Sequence, residues 1–176
     1  MSNTSDLSIV GTEDKVEIFA KVEQYLQALG IAFSSVDRER PWGGFFVIDE
    51  PKTSDFIATY FPDYDASQIG QFGAKLSPKI LVVGPGMRLS WQYHDRRAEL
   101  WRTVHGPVGF CRSLDDEQGE VRQLADGEIV QFAPSERHRL IGLEGWGIVA
   151  EIWQHTDPNL ASDESDITRL SDDFGR

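Results

Sequence analysis

Four side chains able to bind a divalent cation sit in two short stretches of this 176-residue chain. The first stretch has the skeleton Gly86, Gln92, His94, Glu99, Gly106. Gln92 and His94 are two residues apart, so on a strand they point to one face. The odd step to Glu99 would put it on the other face of a flat strand. A bend is therefore required between them, and the polar run Asp95-Arg96-Arg97 can supply it. An amide oxygen, an imidazole and a carboxylate would then converge on one point, as ligands of a metal ion do. Glu99 has a second reading, as a buried partner of Arg97. Downstream, Asp126-Gly127 signals a turn before the apolar run Ile129, Val130, Phe132, and His138 follows a polar loop. That leaves room between Gly127 and His138 for one strand, one turn and a fourth ligand.

The two skeletons together resemble the paired motifs of the cupin superfamily. Gly86, His94, Glu99 and Gly106 match the first motif, with Gln92 in place of its usual first His. Gly127 and His138 match the second, with Ala133 where Pro is usual and Gly142 where Asn is usual. Arg40-Pro41-Trp42-Gly43-Gly44-Phe45, Arg88-Leu89-Ser90-Trp91-Gln92-Tyr93-His94 and Arg97-Ala98-Glu99-Leu100-Trp101 are similar to the cupin part of type II mannose-6-phosphate isomerases. So is the tail from Asp166 to Arg176, whose Asp173-Phe174-Gly175-Arg176 stands for that family's Asp-x-Tyr-Gly-Arg. The match spans residues 38 to 176 with an insertion at 51–74, and Gln at the first ligand position is usual in these isomerases.

The resemblance implies a metal-dependent aldose–ketose isomerase of sugar phosphates, mannose 6-phosphate to fructose 6-phosphate as first choice. It implies one divalent metal, zinc by preference, on Gln92, His94, Glu99 and His138. Lys79 and Ser90 would lie near the phosphate end, with Arg97 also binding substrate. Arg88 or Arg139 would stand at the pocket wall, and Arg176, like Arg169, matches an arginine of the C-terminal motif. Arg88, Arg139 and Arg176 are the candidates for a direct part in catalysis. The base stays open among His105, His155, Glu151 and a metal-bound hydroxide. A non-catalytic cupin that binds a sugar or sugar phosphate as a sensor or regulatory module is the alternative. A cupin dioxygenase or epimerase is a third reading, weakened by Gln92 and by the lack of a clear His–Asp dyad.

Composition narrows the partners. With 29 acidic and 17 basic residues the formal net charge is −12. A surface of that sign disfavours nucleic acid and anionic membranes, leaving a small molecule as the expected ligand. Long-range repulsion of a phosphate would be offset by cations near the metal ligands: Lys79, Arg88, Arg96, Arg97, Arg137 and Arg139. Cys111 is the single cysteine, so no internal disulfide forms, and it reads as a small core residue. There is no signal-like or membrane-length apolar run, and the expected location is the cytoplasm.

These ligands need a scaffold of strands. Short runs at 42–48, 79–83, 88–94, 99–104, 107–113, 120–124, 128–132, 137–141 and 147–154 alternate with Gly or polar turns, as in a β-sandwich or barrel. The expected fold is all-β, a cupin-type jelly roll, with residues 37–176 forming one domain after a 1–36 extension. That extension carries an amphipathic helix from Glu13 to about Leu29, capped by Thr12 and stopped by Gly30, with Val16, Phe19, Val22, Tyr25, Leu26 and Leu29 on one face. Residues 54–76 read as a short helix and a long loop of the kind that forms lids. A homodimer through sheet edges is the default assembly.

Overall fold

The computed structural model describes residues 6–64 and 76–175. Its frame is two antiparallel sheets. The larger has the strand order β1-β2-β3-β10-β5-β8: β1 Phe33–Asp37, β2 Gly43–Ile48, β3 Lys79–Val83, β10 Gly147–His155, β5 Arg97–His105 and β8 Ile129–Phe132. The smaller runs β11-β4-β9-β6-β7: β11 Thr168–Ser171, β4 Trp91–Tyr93, β9 Arg137–Gly142, β6 Val108–Ser113 and β7 Arg122–Leu124. Every pairing is antiparallel.

Period-two alternation explains why the larger sheet is buried on both faces. Leu81, Val83, Trp101 and Val149 point between the sheets and pack with Phe110, Phe132 and Leu140. Their neighbours Ile80, Val82, Leu100, Ile148, Ala150 and Ile152 point the other way. That second face is covered by α1 Lys15–Ala28 and α2 Thr53–Tyr60, through Ile18, Phe19, Val22, Leu26, Phe56 and Ile57. Nearly continuous apolar strands therefore signal a helix layer outside the barrel, and the N-terminal helix shares a core with the sheet.

The helix differs in detail from its expected form. It begins at Lys15, and Asp14 rather than Thr12 is the cap, in a reciprocal capping box with Glu17. Val16 is 75% exposed and lies off the buried face, where Ile18 sits instead. Gly30 ends it at φ +68°, a conformation that costs a side chain but not glycine. β1 and β11 lie outside the expected strands, and residues 65–74 of the 51–74 insertion lie outside the described residues.

Gly142, standing where the second motif usually has Asn, has a steric reason. A Cβ there would lie 1.9 Å from the Gly84 carbonyl oxygen, so the close approach of the β3 end to β9 requires glycine.

Candidate metal centre

The two sheets bring the candidate ligands together at one mouth of the barrel. β4 ends at Tyr93, and His94-Asp95-Arg96 turns the chain into β5, which supplies the expected bend. Gln92 pairs across the sheet with His138. Glu99 arrives from the opposite sheet, beside Phe132 and Trp153. His94, Glu99 and His138 are all buried, and one ligand atom from each lies within 4.8 Å of the others.

The hydrogen bonds fix which imidazole nitrogens face that point. His94 Nδ1 lies 2.7 Å from the main-chain oxygen of Asp166, and His138 Nδ1 lies 3.0 Å from that of Glu136. A carbonyl only accepts, so both Nδ1 atoms carry hydrogen. In the neutral rings both Nε2 atoms then present lone pairs. These face Glu99, at 3.1 Å for His94 and 3.3 Å for His138. Three acceptors turned on one another in a buried site need a cation or extra protons between them. Among the described residues, His138 Nε2 is buried with no hydrogen-bond partner. The donor set, N, N and O with both rings oriented by carbonyls, therefore fits a divalent metal.

Arg97 meets part of the same demand. Its Nε donates to Glu99 Oε1 at 2.9 Å and Nη2 lies 3.2 Å from His94 Nε2. Glu99 is thus the partner of Arg97 and is also placed among donors that could hold a metal. The Nη2 contact competes with a metal for the His94 lone pair, while the guanidinium is also held by Ser162 Oγ and the Asp163 carbonyl. Gln92 is placed with its amide nitrogen 3.5 Å from His94 Nε2 and its oxygen 2.5 Å from Ser90 Oγ. A 180° amide rotation exchanges the two ends, and the Ser90 hydroxyl can then accept instead of donate.

A second carboxylate lies beside the first. Glu151 pairs in register with Lys79 on one side and Trp101 on the other. Trp101 Nε1 donates to both Glu99 Oε2 and Glu151 Oε1 at 3.1 Å, and Trp153 Nε1 donates to Glu151 Oε2 at 3.2 Å. The two acids are pushed apart in acidity. Burial alone would raise Glu99, but positive charge facing it, from His94 and His138 whenever their rings are protonated and from Arg97, holds it well below the usual carboxylate range. Burial and the neighbouring Glu99 charge push Glu151 up to about 7, against the pull of Lys79 and Arg97.

These groups line a cavity of about 90 Å³ that also includes Arg40, Phe45, Lys79, Ser90 and Arg169. Of the residues expected here, Lys79, Ser90, Gln92, Arg97 and Glu99 line it, with His94 and His138 completing the ligand group. Arg88 and Arg139 do not line it. Arg139 follows inward-facing His138, so alternation turns it to the outer face of the smaller sheet, where it bonds Gln118 and Ser171. Arg88 forms a two-point ion pair with Asp173 on the C-terminal tail. Arg137 pairs with Asp116 and Arg96 with Asp163. Arg176 lies outside the described residues. Among the base candidates, His105 borders a separate cavity with Pro107 and Trp146, and His155 Nδ1 accepts from Ser162 N. Arg40 and Glu164 were not expected. The available signal for Glu151 was its parity: an acid between inward-facing Val149 and Trp153.

No family model matches the chain. It is 26% identical over 175 residues to the xanthan biosynthesis protein XanB of Xanthomonas campestris pv. campestris strain B100, covering 98% of this chain and 31% of that protein. Against the mannose-1-phosphate guanylyltransferase of Escherichia coli K12 the identity is 26%, over 98% of this chain and 30% of that one. The matched part is the C-terminal region of these proteins, and this chain spans about a third of their length. The two-sheet barrel with the ligand group at its mouth is a cupin-type fold. The similarity reaches beyond residues 38–176, into the N-terminal helix. In the capsular polysaccharide assembling protein CapF of Staphylococcus aureus, the same fold covers 91% of this chain and 40% of that one, at 13% identity and a TM-score of 0.52.

Proposed function

We propose that this cupin is a metal-dependent aldose–ketose isomerase of sugar phosphates, with mannose 6-phosphate and fructose 6-phosphate as the preferred pair. One observation carries the reading. Two buried carboxylates share one tryptophan N–H, and their surroundings set opposite protonation behaviour: Glu99 ionised among cations, Glu151 poised near neutrality. Sites that need a ligand and a base in one pocket are built this way. The curated relatives whose names concern sugar phosphates or polysaccharide synthesis support the substrate class.

A divalent metal on His94, Glu99 and His138, with Gln92 as a fourth ligand, would supply Lewis-acid stabilisation of negative charge on the sugar oxygens. Zinc suits these N and O donors. Glu151 would take the proton from C2 of the aldose, giving an enediolate, and return it to C1, while the hydroxyl proton passes from O2 to O1 to form the ketose. Its pKa, raised to about 7, lets it act in both directions near neutral pH. Lys79 and Ser90 would hold the phosphate. A coupled assay with mannose 6-phosphate, run before and after chelation and against free mannose, tests the reading. Turnover that needs the metal and the phosphate is expected, and no turnover of any hexose phosphate by metal-loaded protein would overturn it.

One observation favours a second reading, a cupin that binds a sugar phosphate without converting it. The inner cavity of about 90 Å³ is small beside ligand pockets of roughly 300–1,000 Å³. The same assay separates the two readings.

A further inference from the structure

The inner cavity has a neighbour. An outer groove of about 810 Å³ runs past Ser34, Val47, His155 and Ser162. Four residues line both spaces: Phe45, Lys79, Trp153 and Glu164. The partition between cavity and groove is therefore the ion pair of Lys79 and Glu164 with the two aromatic rings beside it.

The two ends of that pair are built differently. Lys79 is buried on β3, its ammonium 3.8 Å from the centre of the Trp153 ring and 5.5 Å from that of Phe45. Aromatic faces favour such a cation without neutralising it. Its negative partner is Glu164 Oε1 at 3.1 Å. The Glu164 side chain is 72% exposed, projects from the loop between β10 and β11, and makes no other hydrogen bond or ion pair among the described residues. The rest of that loop is held independently: Ser162 and Asp163 by Arg97, and Asp166 by the main-chain N–H groups of Asp95 and Arg96. Glu164 can thus leave Lys79 by side-chain rotation into water, with the loop in place.

We propose that Glu164 is a displaceable carboxylate standing in the anion subsite of Lys79, and that a phosphate monoester takes its place. The displacement would join the inner cavity to the groove. Rotation into solvent costs Glu164 little, because an ion pair with one exposed partner contributes modestly. A phosphate dianion offers Lys79 more charge and more acceptor oxygens than the carboxylate does. The carboxylate would also select against neutral sugars, which cannot compete for the ammonium. The inference rests on the phosphate-binding part of the function proposed above and makes no use of turnover.

The test is binding. Trp153 lies against Lys79, so intrinsic tryptophan fluorescence can follow titration with inorganic phosphate, mannose 6-phosphate and free mannose. Glu164→Gln is expected to bind both phosphates about 3- to 10-fold more tightly than the wild type, with mannose unchanged. Lys79→Met, which keeps the apolar stem, should lose phosphate binding. Adding Glu164→Gln to Lys79→Met should change nothing further. Equal or weaker phosphate binding by a folded Glu164→Gln protein would overturn the proposal and make the pair a structural tie. Tighter phosphate binding by Glu164→Gln in a protein that isomerises no hexose phosphate would uphold the gate and remove the isomerase reading. Isomerisation with phosphate affinity indifferent to Glu164 would do the reverse.

Discussion

The main-chain carbonyl of Asp166 accepts a hydrogen bond from His94 Nδ1 at 2.7 Å, across 72 residues of chain. The Asp166 carboxylate secures the carbonyl by accepting from the N–H groups of Asp95 and Arg96 and from Ser162 Oγ. One residue thereby sets the tautomer and direction of a proposed ligand without touching a metal. Asp166→Ala should lower metal affinity about 10- to 100-fold while leaving His94, Glu99 and His138 in the chain. Competition with a chromogenic chelator measures this, and unchanged affinity would remove the orienting role.

Bound metal is expected at about one ion per chain, as one three-sided donor set predicts. His94→Ala and His138→Ala should each lose it or hold it far more weakly, because each deletes one of three converging donors. Elemental analysis of the purified variants decides, and full occupancy in both would contradict the assignment.

Glu99 also answers the buried charge of Arg97. In the metal-free protein, Glu99→Gln leaves that guanidinium uncompensated beside His94, and should cost about 3–5 kcal/mol of stability. Urea denaturation at neutral pH measures it. A loss below 1 kcal/mol would mean that Ser162 and the Asp163 carbonyl suffice for Arg97.

The phosphate contact should show in the specificity of turnover. Lys79→Met should lower kcat/KM for a hexose 6-phosphate by roughly 10- to 100-fold, the effect of removing a charge-assisted contact, with metal content unchanged. Equal wild-type turnover of mannose and mannose 6-phosphate would refute a phosphate role for this lysine.

Glu151 predicts a pH dependence of definite sign. A base must be deprotonated, so kcat/KM should rise with pH through about 7, where burial and Glu99 have pushed this carboxyl. Stability should move the other way. Between the ordinary value of 4.5 and about 7 the folded protein binds the Glu151 proton more tightly than the unfolded chain does. That part of the stability is therefore full below 4.5 and is lost as pH rises through about 7. Glu151→Gln should flatten both profiles, and a wild-type rate profile flat from pH 6 to 8 would exclude Glu151 as the base.

The sequence determined what depends on neighbours along the chain. The two-residue step from Gln92 to His94, the polar corner before Glu99 and the turn glycine Gly127 specify strands, faces and bends through backbone geometry alone. The alternation of Val149, Glu151 and Trp153 was legible for the same reason, although it marks Glu151 only once the inner face is known. The tertiary structure decided what depends on closure of the two sheets. Arg88 and Arg139 lie away from the inner cavity, Arg139 buried on the outer face of the smaller sheet, because parity on β9 and the reach of the C-terminal tail placed them there, not because their spacing differs from that of the residues that line it. Lys79 meets Glu164 across 85 residues, and His94 meets Asp166 across 72. No local pattern encodes such pairs, since loop closure and side-chain packing select them only after the barrel has formed.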